Sequence, residues 1–171
     1  IGTGGHGHTF PGAVVPHGMI QPSPDTRIDG WDACSGYYYE DSTINGFSHT
    51  HVSGTGCCDY GDVLLMPTVG EQRYQTTDPQ SQQLAYSSAF SHENETAEPG
   101  YYSVFLDTYQ VKAEISATKR GAIHRYTFPE SSEAGFILDL DYSLQRQTNS
   151  DMGIEVISDT EICGHKKTTY W

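Results

Sequence analysis

The chain has 171 residues and a formal net charge of −13, because 22 Asp and Glu residues outnumber 9 Lys and Arg residues. So acidic a surface repels phosphate backbones and anionic lipid, which argues against nucleic-acid binding. The length suffices for one domain with a hydrophobic core. The sequence contains no run of 18 apolar residues, so no membrane-spanning helix is predicted. Neutral, polyhydroxylated or cationic partners fit the composition.

The four cysteines are Cys34, Cys57, Cys58 and Cys163, and no two of them form a CxxC pair. This spacing argues against a structural zinc site. A disulfide between the adjacent residues 57 and 58 would be strained, whereas Cys34 is compatible with either of them. The chain begins inside a glycine-rich motif without an initiator Met and ends in a strand-like run. We therefore expect it to be a piece of a longer protein.

The first 62 residues hold 12 of the 18 glycines and 5 of the 8 histidines, and their apolar residues show little periodicity. This composition is typical of ordered loops with a few short strands, the kind of segment that carries function on a scaffold. The rest of the chain differs, because apolar and polar residues alternate along several short runs. We expect strands over 101–107, 111–116, 122–128, 135–140 and 153–157.

Turn residues such as 98–100, 119–121, 129–132 and 148–151 separate these strands. Several strands at short spacing predict an all-β fold, an antiparallel β-sandwich. A weak pattern over 79–90 is the one candidate for a helix.

Two pairs of histidines are spaced two apart, His6 with His8 and His49 with His51. On a strand, such residues share a face, so each pair could chelate a metal with help from Asp59 or Asp62. The more favoured interpretation is that these histidines bond loop backbone or a polar ligand. The glycine-rich run 4–8 lacks the spacing and the lysine of a phosphate-binding loop.

Two carboxylate arrangements stand out. Asp139 and Asp141 share one face of a predicted strand, and paired carboxylates are what glycoside hydrolysis requires. Strand-end aspartates are more often solvated or cap turns, and we favour these roles. Asp59 and Asp62 lie in a glycine-flanked loop and are better candidates for ligand contact.

Trp31 stands between Gly30 and Asp32, which favours an exposed ring over a buried one. The face of an exposed indole can stack on the C–H face of a sugar ring. The neighbouring Asp32 carboxylate can then accept hydrogen bonds from sugar hydroxyls.

Long motifs in the chain resemble the N-terminal domain of glycoside hydrolase family 92. The members of this family are α-mannosidases that act mostly on α-1,2 linkages. The resemblance covers nearly the whole chain. The motifs are GTGGHGHTFPGA (2–13), QPSPDTR (21–27), GWDACSGY (30–37), GFSHTH (46–51), SGTGC (53–57), DYGD (59–62), PGYY (99–102) and HRYTFP (124–129). Two positions depart from the family pattern: His17 replaces an aromatic residue, and Cys58 replaces a glycine and adds bulk beside the expected pocket.

The resemblance implies a supersandwich-like β-sandwich packed on a C-terminal (α/α)6 barrel that is absent from this chain. It implies an exo-acting, inverting, calcium-dependent α-mannosidase whose acid, base and calcium ligands come largely from the barrel. The parent protein would be secreted, periplasmic or at the cell surface and would act on mannose-containing glycans. We therefore assign no catalytic or metal-binding residue to this chain, and expect it to be inactive alone.

The same resemblance implies that loops of this domain reach the substrate pocket. The substrate-binding candidates are Trp31, Asp32, His49, His51, Asp59 and Asp62. In this view the glycines of residues 53–56 let the backbone approach sugar or barrel closely. The alternative from another functional class is a non-catalytic β-sandwich that binds carbohydrate or a protein partner.

Overall fold

The computed structural model describes residues 2–54, 56–74 and 80–169. Within these ranges the chain is built from β-strands, loops and three single-turn 3-10 helices. The 3-10 helices are Trp31–Ala33, His92–Asn94 and Leu144–Arg146. The strands are β1 (Ser23–Asp25), β2 (Thr43–Ile44), β3 (Gly46–Ser48), β4 (Leu64–Val69), β5 (Ser88–Ala89), β6 (Glu95–Glu98), β7 (Tyr101–Leu106), β8 (Val111–Ala117), β9 (Ala122–Thr127), β10 (Ala134–Asp139), β11 (Thr148–Ser158) and β12 (Glu161–Thr169).

Two four-stranded antiparallel sheets form the body of the domain. One has the strand order β1-β3-β4-β10, and the other has the order β6-β7-β8-β9. Their inner faces contribute to one buried apolar cluster, in which the ring centres of Phe47 on β3 and Tyr102 on β7 lie 6.4 Å apart. Two sheets that share one core in this way form a β-sandwich. The predicted all-β, antiparallel architecture is confirmed.

The strands of the second half follow the alternation of their sequence. In β8 the side chains of Val111, Ala113 and Ile115 are buried, while Lys112 and Ser116 are exposed. This is the period of two that places alternate side chains on one face of a sheet. All five predicted strands are present, and the run 153–157 falls inside the longer β11.

The first half consists of loops held by strands of only two or three residues, as its composition predicts. β1 pairs with β3 so that Asp25 lies opposite Gly46. A side chain on Gly46 would meet the Leu64 side chain at 2.8 Å, so the glycine permits β3 and β4 to approach each other. The loops that follow β1 and β3 then meet, because the Ser35 hydroxyl donates to the Val52 carbonyl at 2.9 Å.

The helix suggested by residues 79–90 is not formed over 80–90, and residue 79 lies outside the described ranges. Tertiary hydrogen bonds replace the helical ones in this segment. The Asn45 amide donates to the Gln82 carbonyl at 2.8 Å and accepts from the Leu84 N–H at 3.0 Å. The Gln82 side chain in turn accepts from the N–H groups of Ile28 and Asp29 at 3.0 and 3.1 Å. A buried asparagine therefore fixes residues 82–84 as a loop that leads into β5.

β11 and β12 form a long two-stranded hairpin that lies apart from the two main sheets. Most of its side chains are exposed, including the apolar Val156 and Ile162. It is attached to the body through the Lys166 ammonium, which lies 3.0 Å from the Asp62 carboxylate. Across the described residues, no helix has the length and hydropathy to cross a membrane.

Glu114 on β8 lies directly opposite Arg125 on β9. The guanidinium donates two hydrogen bonds to the carboxylate at 2.8 and 2.6 Å, and the Tyr101 hydroxyl donates a third at 2.9 Å. The hydrogen bonds from Arg125, followed by the one from Tyr101, lower the pKa of Glu114 from 4.5 to about 2. The charged carboxylate is therefore favoured in the folded state.

A carboxyl group whose pKa is lower when folded stabilises the fold above its unfolded pKa. That stabilisation is lost as the pH falls from 4.5 towards 2. We expect Glu114→Gln to flatten the decline of the unfolding free energy across this window, measured by urea denaturation at stepped pH. The exposed Glu98→Gln variant is the matched control and should keep the decline. Equal slopes in the Glu114→Gln variant and the unsubstituted chain would contradict this assignment.

Candidate functional site

Trp31 begins the single-turn helix Trp31–Ala33, and Gly30 precedes it with a φ of 107° that favours glycine. The helix is closed by hydrogen bonds from the Ala33 N–H to the Gly30 carbonyl and from the Cys34 N–H to the Trp31 carbonyl. The indole of Trp31 is 58 % exposed. The prediction of an exposed ring is confirmed.

Two histidines of the N-terminal loop contact the exposed indole. The ring centre of His6 lies 4.8 Å from that of Trp31, and the ring centre of His8 lies 4.4 Å away in an edge-on contact. The His6 Nδ1 atom is 2.5 Å from the Asp32 carboxylate. A side chain at Gly56 would meet the indole nitrogen at 3.2 Å. We call these five residues the Trp31 face.

His8 ties the N-terminal loop to the glycine-rich loop. Its carbonyl accepts hydrogen bonds from the Ser35 hydroxyl and from the Gly54 N–H, both at 2.6 Å. Its Nε2 atom is buried and has no hydrogen-bond partner in the part of the chain that the structure describes. A buried polar atom without a partner calls for an explanation, such as a bound water or a ligand.

His51 lies behind this surface, and neither its side chain nor that of Asp25 has any exposed area. Its Nδ1 atom is 2.7 Å from the Gln21 carbonyl, and its Nε2 atom is 2.8 Å from the Asp25 carboxylate and 3.0 Å from the Ser48 hydroxyl. The Gln21 carbonyl can only accept a hydrogen bond, so the Nδ1 atom donates to it. His51 therefore ties the loop after β3 to β1 from inside the domain.

The space around Asp25 leaves no room for another side chain. A Cβ atom at Gly36 would lie 2.0 Å from an oxygen of Asp25, and Gly36 has a φ of 86°. The hydroxyl of Tyr142 is also buried nearby, and burial followed by the charge of Asp25 raises the pKa of Tyr142 well above its usual value. Asp25 is thus enclosed by a glycine, a histidine and a tyrosine.

His49 points the other way, although only one residue separates it from His51. Its Nδ1 atom lies 2.7 Å from the Val63 carbonyl, and its Nε2 atom lies 3.1 Å from Nε2 of His124 on β9. Nδ1 of His124 is in turn 2.8 Å from the Tyr126 hydroxyl. Burial lowers the pKa of His49, and burial followed by the charge of His49 lowers the pKa of His124 to about 4.

Asp62 joins the loop to the hairpin. One carboxylate oxygen accepts a hydrogen bond from the Thr168 hydroxyl at 2.9 Å, and the other accepts one from the Thr50 hydroxyl at 3.0 Å. Lys166 completes this group, with a side chain that is only 5 % exposed. Asp59 is half-buried on the same loop, next to the buried Cys58.

His49, Asp62 and His124 line an apolar cleft of about 1070 Å³ between the body and the β11–β12 hairpin. Phe136 and Leu138 of β10 form part of its floor, and β12 contributes the opposite wall. We call this the hairpin cleft. Its volume is at the upper end of the range for small-molecule sites.

The structure thus distributes the six candidate residues over four places. Trp31 and Asp32 share the Trp31 face, His51 is buried behind it, and His49 and Asp62 line the hairpin cleft. Asp59 lies on the loop between Cys58 and Asp62. Sequence reasoning did not select Asp25, His124 or Lys166, because their partners are distant in sequence. His8 was noticed only as half of a spaced pair.

The structure also bears on the metal-site hypothesis for the two spaced histidine pairs. In neither pair do the two rings come together to chelate an ion, because His6 and His8 both contact Trp31 whereas His49 and His51 point apart. No group of three or more His, Cys, Asp or Glu side chains that could hold a metal occurs within residues 2–54, 56–74 and 80–169. Asp139 caps a turn, accepting hydrogen bonds from the N–H groups of residues 141 and 142. All four cysteines are free thiols.

Substituting Gly36 tests the close packing around Asp25. We expect Gly36→Ala to lower the unfolding free energy by more than Gly70→Ala, by about 1–3 kcal/mol for the overpacking of a buried site. Gly70→Ala is a matched control, because its φ of 89° imposes the same backbone strain while no atom lies within 4 Å of the added carbon. Urea denaturation of both variants measures the difference. Equal destabilisation would contradict the packing described here.

Comparisons with known proteins agree with this architecture. The family model of the glycosyl hydrolase family 92 N-terminal domain matches residues 1–171. A family GH92 α-mannosidase from Bacteroides thetaiotaomicron, solved in complex with mannoimidazole, superimposes with a TM-score of 0.89 at 41 % identity, covering 98 % of this chain and 22 % of that one. An inverting mannosidase of the same family from Bacteroides thetaiotaomicron gives a TM-score of 0.70 at 33 % identity, covering 88 % and 18 %.

A relative from Arthroderma benhamiae, described as an uncharacterized secreted glycosidase, is 32 % identical over 136 residues, which are 77 % of this chain and 17 % of that protein. The chain therefore spans about a fifth of the length of these relatives. The match over all residues, together with the fold, establishes that the chain belongs to glycosyl hydrolase family 92, as its N-terminal domain.

Proposed function

We propose that the chain is the N-terminal domain of an exo-acting, inverting, calcium-dependent α-mannosidase with a preference for α-1,2 linkages. In this proposal the Trp31 face forms one wall of the substrate pocket, and an (α/α)6 barrel that follows in the parent protein forms the other. Family membership supports the proposal, as do the two solved relatives described as an α-mannosidase and an inverting mannosidase.

The observation that carries the proposal is the exposed indole of Trp31 in contact with two histidines. An indole that is 58 % exposed and held by two ring contacts can stack on a sugar ring without losing much side-chain freedom on binding. Asp32 lies at its edge with a carboxylate that can accept hydrogen bonds from sugar hydroxyls. Both His6 and Asp32 are exposed enough to contact a ligand.

The remaining candidates take supporting positions in this proposal. His51 has no exposed side-chain area, so it holds the loop that carries Gly56 and acts on substrate only through that loop. Asp59 and Asp62 shape the segment that follows, and Asp62 fixes it to β12. His49 lines the hairpin cleft rather than the Trp31 face.

Inversion requires a carboxylic acid that protonates the leaving oxygen and a carboxylate that activates water on the opposite face of the sugar. We assign neither role to this chain and propose that the barrel supplies both. Calcium prefers six to eight oxygen ligands, and the described residues provide no such cluster. We therefore propose that calcium, which would bind sugar hydroxyls and favour ring distortion, is held mainly by the barrel as well.

The parent protein is proposed to be secreted, periplasmic or at the cell surface, where mannose-containing glycans are found. The fungal relative described as a secreted glycosidase supports this placement. The 171-residue chain alone is proposed to be inactive, since half a pocket lacks most of the contacts that offset the cost of association.

The experiment is to measure mannose release from α-1,2-mannobiose by the full-length parent, with and without a calcium chelator. We expect release that stops with the chelator and returns when calcium is added in excess. Trp31→Ala should lower kcat/KM by about ten- to a hundredfold, which corresponds to roughly 1.4–2.7 kcal/mol of transition-state stabilisation. The exposed Tyr74→Ala variant removes another aromatic side chain and should keep full activity.

Two results would count against the proposal. No release from any α-mannoside at saturating calcium would favour the alternative of a non-catalytic carbohydrate-binding domain. Full activity in Trp31→Ala would leave the mannosidase assignment standing but would remove the Trp31 face from the pocket.

A further inference from the structure

The hairpin cleft contains a pair of histidines that the proposed sugar site does not use. His49 comes from the loop after β3, and His124 comes from β9. Their Nε2 atoms face each other at 3.1 Å across the edge of the cleft. We propose that His49 and His124 together bind a divalent transition-metal ion of the zinc, nickel or copper class, with water from the cleft completing its coordination.

The positions of the two rings fit a shared ion. At a metal–nitrogen distance of about 2.0–2.1 Å, two imidazoles on one ion have nitrogens about 2.9 Å apart at a right angle and about 3.3 Å apart at the tetrahedral angle. Their ring centres are then about 4.5 and about 5.2 Å apart. The observed values of 3.1 Å between the nitrogens and 4.9 Å between the ring centres lie inside both ranges.

The outer nitrogens of both rings have the partners that metal-binding histidines need. The Val63 carbonyl can only accept, so His49 carries its proton on Nδ1, and its Nε2 lone pair faces the cleft edge. The Tyr126 hydroxyl lies 2.8 Å from Nδ1 of His124 and can accept a hydrogen bond from an N–H there. Such outer partners fix the tautomer and the ring orientation of a ligand histidine.

The backbone beside the pair is strained in a way that serves this arrangement. Val63 has a φ of 59°, which is rare for a β-branched residue. The same residue presents its carbonyl to His49. Strained backbone of this kind is concentrated at functional sites, where the surrounding structure holds it in place.

The chemistry of the pair selects the class of ion. Neutral imidazole nitrogens suit zinc, copper and nickel, whereas calcium requires oxygen ligands. The competing explanation is a simple hydrogen bond between the rings, in which the Tyr126 hydroxyl donates to His124.

The proposal is tested by isothermal titration calorimetry, in which Zn²⁺ is added to the chelator-stripped 171-residue chain and the heat of binding is measured. We expect one ion per chain, with affinity lowered at least about tenfold by His49→Gln or His124→Gln. Tyr126→Phe, which keeps both rings but removes the outer partner, should weaken binding by about 10- to 100-fold. His17→Asn is the matched control, because it removes an exposed histidine at a positive φ that asparagine tolerates, and should leave zinc affinity unchanged.

Ca²⁺ added in place of Zn²⁺ should show no heat of binding at His49 and His124. This result would distinguish the histidine site from the calcium site proposed for the barrel. Visible absorption of bound Co²⁺ gives a second readout and should be lost in the His124→Gln variant. The proposal is overturned if the chain does not bind Zn²⁺, or if binding survives both histidine substitutions. It is also overturned if Cys163→Ser, rather than a histidine substitution, abolishes binding.

Discussion

The buried hydrogen bond between Asp25 and His51 is the interaction on which the functional end of this domain depends. It connects β1 to the loop that follows β3, and both side chains are shielded completely from water. A buried polar group costs free energy unless it has a hydrogen-bond partner, so each of the two side chains needs the other. Here the carboxylate, the Gln21 carbonyl and the Ser48 hydroxyl surround the ring, and Gly36 leaves space for the carboxylate.

The loops positioned by this pair form two surfaces with different chemistry. On one side the glycine-rich loop passes close to Trp31 at Gly56 and contacts the N-terminal loop through the His8 carbonyl. On the other side the same loop presents His49 to His124 and Asp62 to the hairpin. The first surface is open and polar, which suits a sugar. The second is an apolar cleft with two histidines at its edge.

The glycines and histidines of residues 46–56 therefore have separate tasks rather than one shared site. His51 is structural, His49 belongs to the cleft, and Gly56 allows the backbone to pass close to the Trp31 indole. Gly54 differs from Gly56, because a side chain there would meet no atom within 4 Å and only its φ of 78° requires glycine.

The sequence predicted the strands of the second half because alternation reports directly which face of a strand is buried. It also predicted the exposure of Trp31, since a glycine and an aspartate beside an aromatic residue favour the surface. It could not predict that His49 and His51 diverge, because the rule for residues two apart holds only on a strand, and both lie beyond the end of β3. The helix suggested over 79–90 was wrong for residues 80–90, because the hydrogen bonds of Gln82 and Leu84 go to Asn45, which is distant in sequence.

The contribution of the Asp25–His51 pair is measured most directly by a double-mutant cycle on the unfolding free energy. The variants are Asp25→Asn, His51→Gln and the double substitution, each denatured in urea. Each single substitution leaves a buried polar group without its partner, and we predict a loss of about 1–3 kcal/mol for each. We predict that the double variant loses less than the sum by about 1–3 kcal/mol. Losses that add to within about 0.3–0.5 kcal/mol would show that the two side chains are not coupled and would contradict this account.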